Sequence, residues 1–388
     1  MRLIMRIVAV TLVTIFTIAP ATAALEADSI PLVLSALLKN PTLSNPAMIV
    51  LDGTTGKVVY ERNADSQRKP ASVMKILSAA ATLEYLDPSA TFETSISIEK
   101  ESKTVIVRGS LDPWISLNDV TAKKMHRTSL PYLGAKAMSA VKTANKGSLK
   151  GYKVVYSGLY SQDVANFKAY WKKRYFRPVI KLATPEQSLV DQGVPVVSQT
   201  SPTIAEILDW TMLWSDNLLA ERLSRLASKA AGNTFNTEGI AKTYKKLLVH
   251  LEVDSSKLVT IDASGLSKEN RITARMMGEL LFKLRKDEKF ALLYTALPIA
   301  GVSGTLKDRF ITTAPNAIGL IHAKTGTLNG AATLAGYVQS TDREYVFVTL
   351  ADEIAKGNTA LNKARAAIDR VLGRIAAPNI PTEIIPAP

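Results

Sequence analysis

The chain has 388 residues, 47% hydrophobic and 21% charged, with a formal net charge of +14 and no cysteine. That length can bury a large core and is expected to divide into two domains. Absence of cysteine excludes disulfides and thiol catalysis, and three widely spaced histidines (His126, His250 and His322) outside any H-E-x-x-H run argue against a zinc hydrolase. Neither a metal nor a cofactor is expected.

Residues 1–23 read as a secretory signal: Arg2 and Arg6, an apolar run from Ile7 to Ala19, then Ala21-Thr22-Ala23 as a small-residue cleavage site. The run is short for a membrane span and no second long apolar segment follows. The expectation is an exported protein, periplasmic or extracellular and associated with the cell envelope, without a transmembrane segment in the mature chain. Ile30 to Leu38 reads as a short amphipathic helix. Ala47 to Leu51 and Lys57 to Tyr60 read as strands joined by the turn Asp52-Gly53-Thr54-Thr55-Gly56.

Pro70-Ala71-Ser72-Val73-Met74-Lys75-Ile76-Leu77 opens a run of good helix formers that predicts a helix from near Ser72 to Leu86, stopped by Asp87-Pro88. From Val73 to Leu83 its sole charged side chain is Lys75, and a helix apolar or small almost all round is buried on every side. Burial disfavours the ammonium form of such a lysine. Ser72 lies three residues earlier on the same helical face. A serine beside a lysine able to shed its proton is an activated nucleophile, and N-terminal helix amides can bind a developing oxyanion. Ser-x-x-Lys also occurs at Ser66/Lys69, Ser97/Lys100 and Ser139/Lys142, but there the lysine can reach water. Context, not spacing, singles out Ser72 and Lys75.

Residues 91–197 change texture to short alternating strands such as Thr94 to Ile98, Thr104 to Val107 and Lys153 to Tyr156, with a helical piece between Leu117 and Val141. They read as a module inserted between two halves of a main domain, 24–90 and 198–376. Between Thr121 and Lys181 there are 14 Lys/Arg against one acid, Asp163, interleaved with aromatics. In an exported protein this composition suits an anionic envelope polymer or lipid surface rather than nucleic acid. A solvated basic face over an ordinary core is the plain alternative.

Thr203 to Trp214 and Asn217 to Ala231 have helical periodicity, and Ser215-Asp216-Asn217 between them is a polar tripeptide whose side chains must find partners. A simple helix corner with an N-cap would also explain it, and Ser116/Asn118 repeats the spacing. Helices follow at Ile240 to Leu251 and Thr273 to Leu284. Ile299 to Leu306 is a glycine-punctuated tight loop. A strand from Gly319 to Ala323 runs into Lys324-Thr325-Gly326-Thr327, where lysine and threonine can grip a carboxylate and glycine admits a ligand backbone. Ala331 to Gln339 and Glu344 to Leu350 form a hairpin, Thr359 to Ile375 a last helix, and 377–388 a disordered tail.

Ser-x-x-Lys, Ser-x-Asn and Lys-Thr-Gly in this order, on a helix start, an inter-helix corner and a strand, are the signature of β-lactamases and penicillin-binding proteins. The chain resembles the D-alanyl-D-alanine carboxypeptidase/endopeptidase group of low-molecular-mass penicillin-binding proteins with an insert domain. The resemblance extends to Leu218-Leu219-Ala220-Glu221, Asp262 to Ser267 with Asn270-Arg271, Ala300 to Leu306, and His322 to Leu328. It implies an α+β, transpeptidase-like fold: an antiparallel sheet flanked by helices, an all-α part, and a smaller β-containing insert. It also implies acyl transfer through Ser72, with Lys75 as base and Ser215 relaying a proton. Asn217, Lys324, Thr325, Gly326 and Thr327 would bind substrate, and backbone amides of Ser72 and Thr327 would hold the oxyanion. Peptidoglycan stem peptides would be the substrates and β-lactams covalent inhibitors. A β-lactamase or esterase on the same fold, and a non-catalytic envelope-binding protein, are the alternatives.

Overall fold

The computed structural model describes residues 29–184, 193–340 and 343–376; the signal sequence and the C-terminal tail read above lie outside them. Two five-stranded sheets organise the chain. The first takes its strands from both ends of the sequence: β1 (Ala47–Asp52), β2 (Val58–Arg62), β8 (Ile321–Leu328), β9 (Ala331–Gln339) and β10 (Glu344–Ala351), in the order β2-β1-β10-β9-β8. Every pairing in it is antiparallel. Its central strands are buried on both faces, so the period-2 alternation sorts side chains between two cores instead of between core and water. Ile49, Leu51, Val346 and Val348 join one core with helix α9 (Ala274–Lys286), whereas Met48, Val50, Phe347 and Ala351 join another with α1 (Ile30–Leu37) and α11 (Asn358–Ala376).

Above the first face lies an all-helical layer: α2 (Lys75–Tyr85), α6 (Ile204–Trp214), α7 (Asn217–Ala230) and α8 (Thr237–His250). Residues 75–83 of α2 are all buried, as expected of a helix without a polar face. The α-helix starts at Lys75, not at Ser72. Ala71 has φ +48°, a left-handed conformation that interrupts α-helical geometry, and Ala71–Met74 form a 3₁₀ turn. Ser72 therefore sits on a tight turn ahead of the helix. Strand β8 begins at Ile321, two residues later than the sequence suggests, because Gly319 has φ +78°.

The second sheet orders β6 (Ile180–Leu182), β5 (Lys153–Ser157), β4 (Thr104–Gly109), β3 (Glu93–Glu99) and β7 (Val194–Thr200). It is more helical and more parallel than its alternating strands suggest. The stretch 117–141 splits into α3 (Asp119–Lys124) and α4 (Leu130–Ala144), and the basic, aromatic segment after β5 forms α5 (Ser161–Lys172). Helices between β4 and β5 and between β5 and β6 act as crossovers, so both pairs run parallel. Ile96, Val105, Val107, Leu133, Phe167, Trp171 and Phe176 make a separate core for this sheet. The α5 lysines, Lys168 and Lys172, are exposed and flank the buried Phe167 and Trp171. A buried ion pair joins the two halves: Arg222 on α7 bridges Asp163 on α5 at 3.0 and 3.3 Å, and also donates to the Pro113 carbonyl at 3.1 Å.

Candidate active site

The 3₁₀ turn, the α6–α7 corner and strand β8 converge on one cleft of about 540 Å³ that Ser72, Ser215, Thr325 and Thr327 line together. The Lys75 amine is fully buried and donates to three neutral oxygens: Ser72 Oγ at 2.9 Å, Asn217 Oδ1 at 2.7 Å and the Ser264 carbonyl at 2.6 Å. Among the described residues no carboxylate touches it. Burial lowers its pKa to about 8, against the opposing pull of Asp262, Asp216 and Glu221. Lys324 is also fully buried, its amine donating to the Thr325 carbonyl at 3.1 Å. Its pKa falls well below the usual lysine range, first through burial and then through the charge on Lys75. For Lys75, burial is the principal cause; the repulsion between the two amines weighs on Lys324.

Each piece is placed by local chemistry. Ser215 caps α6 in the left-handed region at φ +60°, which lets the chain reverse, and Asp216 then N-caps α7 by accepting from Leu219 N–H at 3.0 Å. Asn217, the first residue of α7, thereby faces Lys75. Thr333 Oγ1 donates to the Pro70 carbonyl at 2.7 Å and ties the turn to the sheet. A Cβ on Gly326 would meet Thr333 Oγ1 at 2.1 Å and Ser72 N at 3.0 Å, so only glycine lets β8 pass this close to the nucleophile. The Thr325 hydroxyl pairs with that of Thr305 at 2.8 Å, bringing in the loop 299–306.

Sequence reading flagged the segment Asp262 to Ser267 but gave it no role. Asp262 accepts the amides of Gly265, Leu266 and Ser267, and Glu221 on α7 accepts those of Ala263 and Ser264 at 2.8 and 2.9 Å. These bonds fix the Ser264 carbonyl on Lys75. Ser78, one turn beyond Lys75, donates to the Ala263 carbonyl at 2.7 Å and shares a hydrogen bond with Tyr244. Glu221 was visible in the sequence only as part of a motif, and nothing there connects it with residue 264. Arg365 of α11, which donates to Thr327 Oγ1 at 2.8 Å, carried no sequence signal. His322 stacks on Tyr294 at 4.6 Å as a strand residue. Among the described residues no cluster of His, Asp or Glu is placed to hold a metal ion, and no helix is long and apolar enough to cross a membrane.

Solved structures share this architecture. Penicillin binding protein 4 from Haemophilus influenzae superposes with a TM-score of 0.70 at 17% identity, covering 88% of this chain and 98% of that one. A predatory endopeptidase from Bdellovibrio bacteriovorus gives 0.62 at 16% identity, over 85% and 91%. At these identities the likeness speaks for the fold. In sequence, carboxypeptidase DacB of Mycolicibacterium smegmatis is 30% identical over 87% of this chain and 81% of its own. The D-alanyl-D-alanine carboxypeptidase of an Actinomadura species is 24% identical over 81% and 79%. The family model for the D-Ala-D-Ala carboxypeptidase 3 (S13) peptidases matches residues 32–141 and 164–375, taking in the turn of Ser72, the corner of Ser215 and the strand of Lys324. With Ser72, Ser215 and Thr325 lining one cleft and the buried Lys75 bonded to Ser72, all inside that match, the chain belongs to the D-Ala-D-Ala carboxypeptidase 3 (S13) family.

Proposed function

We propose that the protein hydrolyses D-alanyl-D-alanine peptide bonds of peptidoglycan stem peptides through an acyl-enzyme on Ser72, as a carboxypeptidase and as an endopeptidase on cross-links. One observation carries this reading: a buried lysine amine, with neutral partners only, 2.9 Å from a serine hydroxyl that opens on the cleft. Neutral Lys75 takes the Oγ proton as Ser72 attacks the carbonyl carbon. Amides of Ser72 and Thr327 receive the oxyanion. Ser215 passes a proton to the departing amine as the C–N bond breaks, and Asn217 holds the substrate backbone while orienting Lys75. The Thr325 and Thr327 hydroxyls bind the terminal carboxylate, and Lys324 of the same motif adds positive potential when it is protonated. Gly326 keeps the strand close. Water then hydrolyses the ester and regenerates Ser72.

The four-membered ring of a penicillin presents an equivalent carbonyl and the ring fused to it a carboxylate, so the same step acylates Ser72 and leaves no amine free to depart. We further propose that the chain works outside the cytoplasmic membrane, as its N-terminal composition indicates, and that residues 121–181 bind an anionic envelope polymer. The main domain is assigned to 24–90 and 198–376 and the basic module to 91–197. Incubation with purified muropeptides tests the reaction: D-alanine release from pentapeptides, or dimer cleavage, that disappears in Ser72→Ala supports it. No product from any muropeptide, with the parent and Ser72→Ala both retained on sacculi, favours a non-catalytic binding protein.

A further inference from the structure

The cleft does not stop at the three motifs. Beyond Thr325 and Thr327 it continues between the segment 308–313 and helix α11, and the cations lining that extension are Arg309 and Arg365. Arg309 is consumed by an ion pair with Asp369. Arg365 is not: its Nη2 donates to Thr327 Oγ1 at 2.8 Å and its Nη1 to Asn362 Oδ1 at 3.2 Å, and among the described residues no carboxylate lies within ion-pair distance of it. Lys324, the lysine of the third motif, has no exposed surface, is absent from the cleft lining and gives one of its donors to a backbone carbonyl. It can set the potential, but a direct contact with an incoming anion needs another group.

We infer that Arg365 is the residue that takes the free C-terminal carboxylate of the departing residue, and that it makes the cleft favour chains ending there. The inference rests on the acyl-transfer reading above. A carboxylate held by the Thr325 and Thr327 hydroxyls lies beside the guanidinium already bonded to Thr327. A planar guanidinium can give two parallel N–H donors to a carboxylate, a geometry that an ammonium lacks. Half-burial strengthens the interaction relative to an exposed ion pair. A carboxylate replaced by an ester or amide forfeits it.

The rival role for Arg365 is a structural tie between α11 and β8, so the test reads a ratio. Second-order rate constants for acylation of Ser72 are measured with benzylpenicillin and with its methyl ester, for the parent, Arg365→Ala and Arg365→Lys. Loss of a charge-assisted hydrogen bond predicts that Arg365→Ala slows the acid about 10- to 100-fold. The ester should change by less than about threefold, and Arg365→Lys should recover part of the acid rate. Equal slowing of acid and ester, or an unchanged acid rate, overturns the inference while leaving the acyl-transfer reading standing. A parent that acquires no adduct on Ser72 overturns both.

Discussion

If Lys75 is the base, the acylation rate must follow the fraction of its amine that is neutral. With a pKa of about 8, roughly one-tenth is neutral at pH 7 and about one-hundredth at pH 6. The second-order rate constant for a fluorescent penicillin should therefore climb about tenfold per pH unit below 8 and level off above it. An ordinary exposed lysine would put the bend beyond pH 10. Asp216→Asn gives the reasoning a second handle. Asparagine caps a helix as well as aspartate does, so the bond to Leu219 N–H survives. The variant loses one of the charges that raise the Lys75 pKa, and that pKa must fall. Its acid limb should shift to lower pH, leaving the variant faster than the parent at pH 6 relative to each one's own plateau. Stopped-flow fluorescence from pH 5.5 to 9.5 resolves both curves. A parent profile flat between pH 6 and 9, or an Asp216→Asn limb displaced upward, refutes the argument.

Gly265 has φ +82°, and a Cβ there would lie 1.8 Å from the Ala71 carbonyl oxygen. Gly265→Ala should push the 3₁₀ turn off its place and slow penicillin acylation about 100-fold or more, with a lower melting temperature; unchanged acylation would mean that the 262–267 loop does not position Ser72. Arg222→Ala leaves Asp163 buried without its partner and should cost about 3–5 kcal/mol in urea unfolding; a loss below about 1 kcal/mol would show that this pair does not hold the basic module to α7. Retention of the Ser72→Ala form on isolated sacculi should weaken steeply between 0.1 and 1 M salt, as the Debye length shrinks from about 10 to about 3 Å. Salt-independent retention would remove the electrostatic role proposed for residues 121–181.

The catalytic helix was legible because its composition is extreme: one lysine in an otherwise apolar stretch forces burial, and burial forces the pKa. Where it begins was not legible, since a left-handed Ala71 has no composition signal of the kind glycine gives. The first sheet could be read from its apolar runs and turns, although the hydrophobic pattern alone does not say that β1 from near the N-terminus pairs with β10 from near the C-terminus. The helix within the basic segment was not legible, for a physical reason. In α5 the residues Phe167 and Trp171 are spaced as a buried stripe, but Lys168, Lys172 and the Lys173-Arg174 pair just after the helix sit beside them in sequence and mask it. Glu221 and Arg365 act through partners about 40 residues away in sequence, Ser264 and Thr327, and such pairings arise only once the chain is folded.

The central claim is that the hydroxyl of Ser72 becomes an ester when Lys75 is uncharged. Peptide-mapping mass spectrometry after benzylpenicillin treatment tests it most directly. The account predicts a single penicilloyl group on the peptide containing Ser72, absent in Ser72→Ala and slowed about 10²–10⁴-fold in Lys75→Ala. An adduct on another residue, one that persists in Ser72→Ala, or acylation indifferent to Lys75→Ala would contradict it.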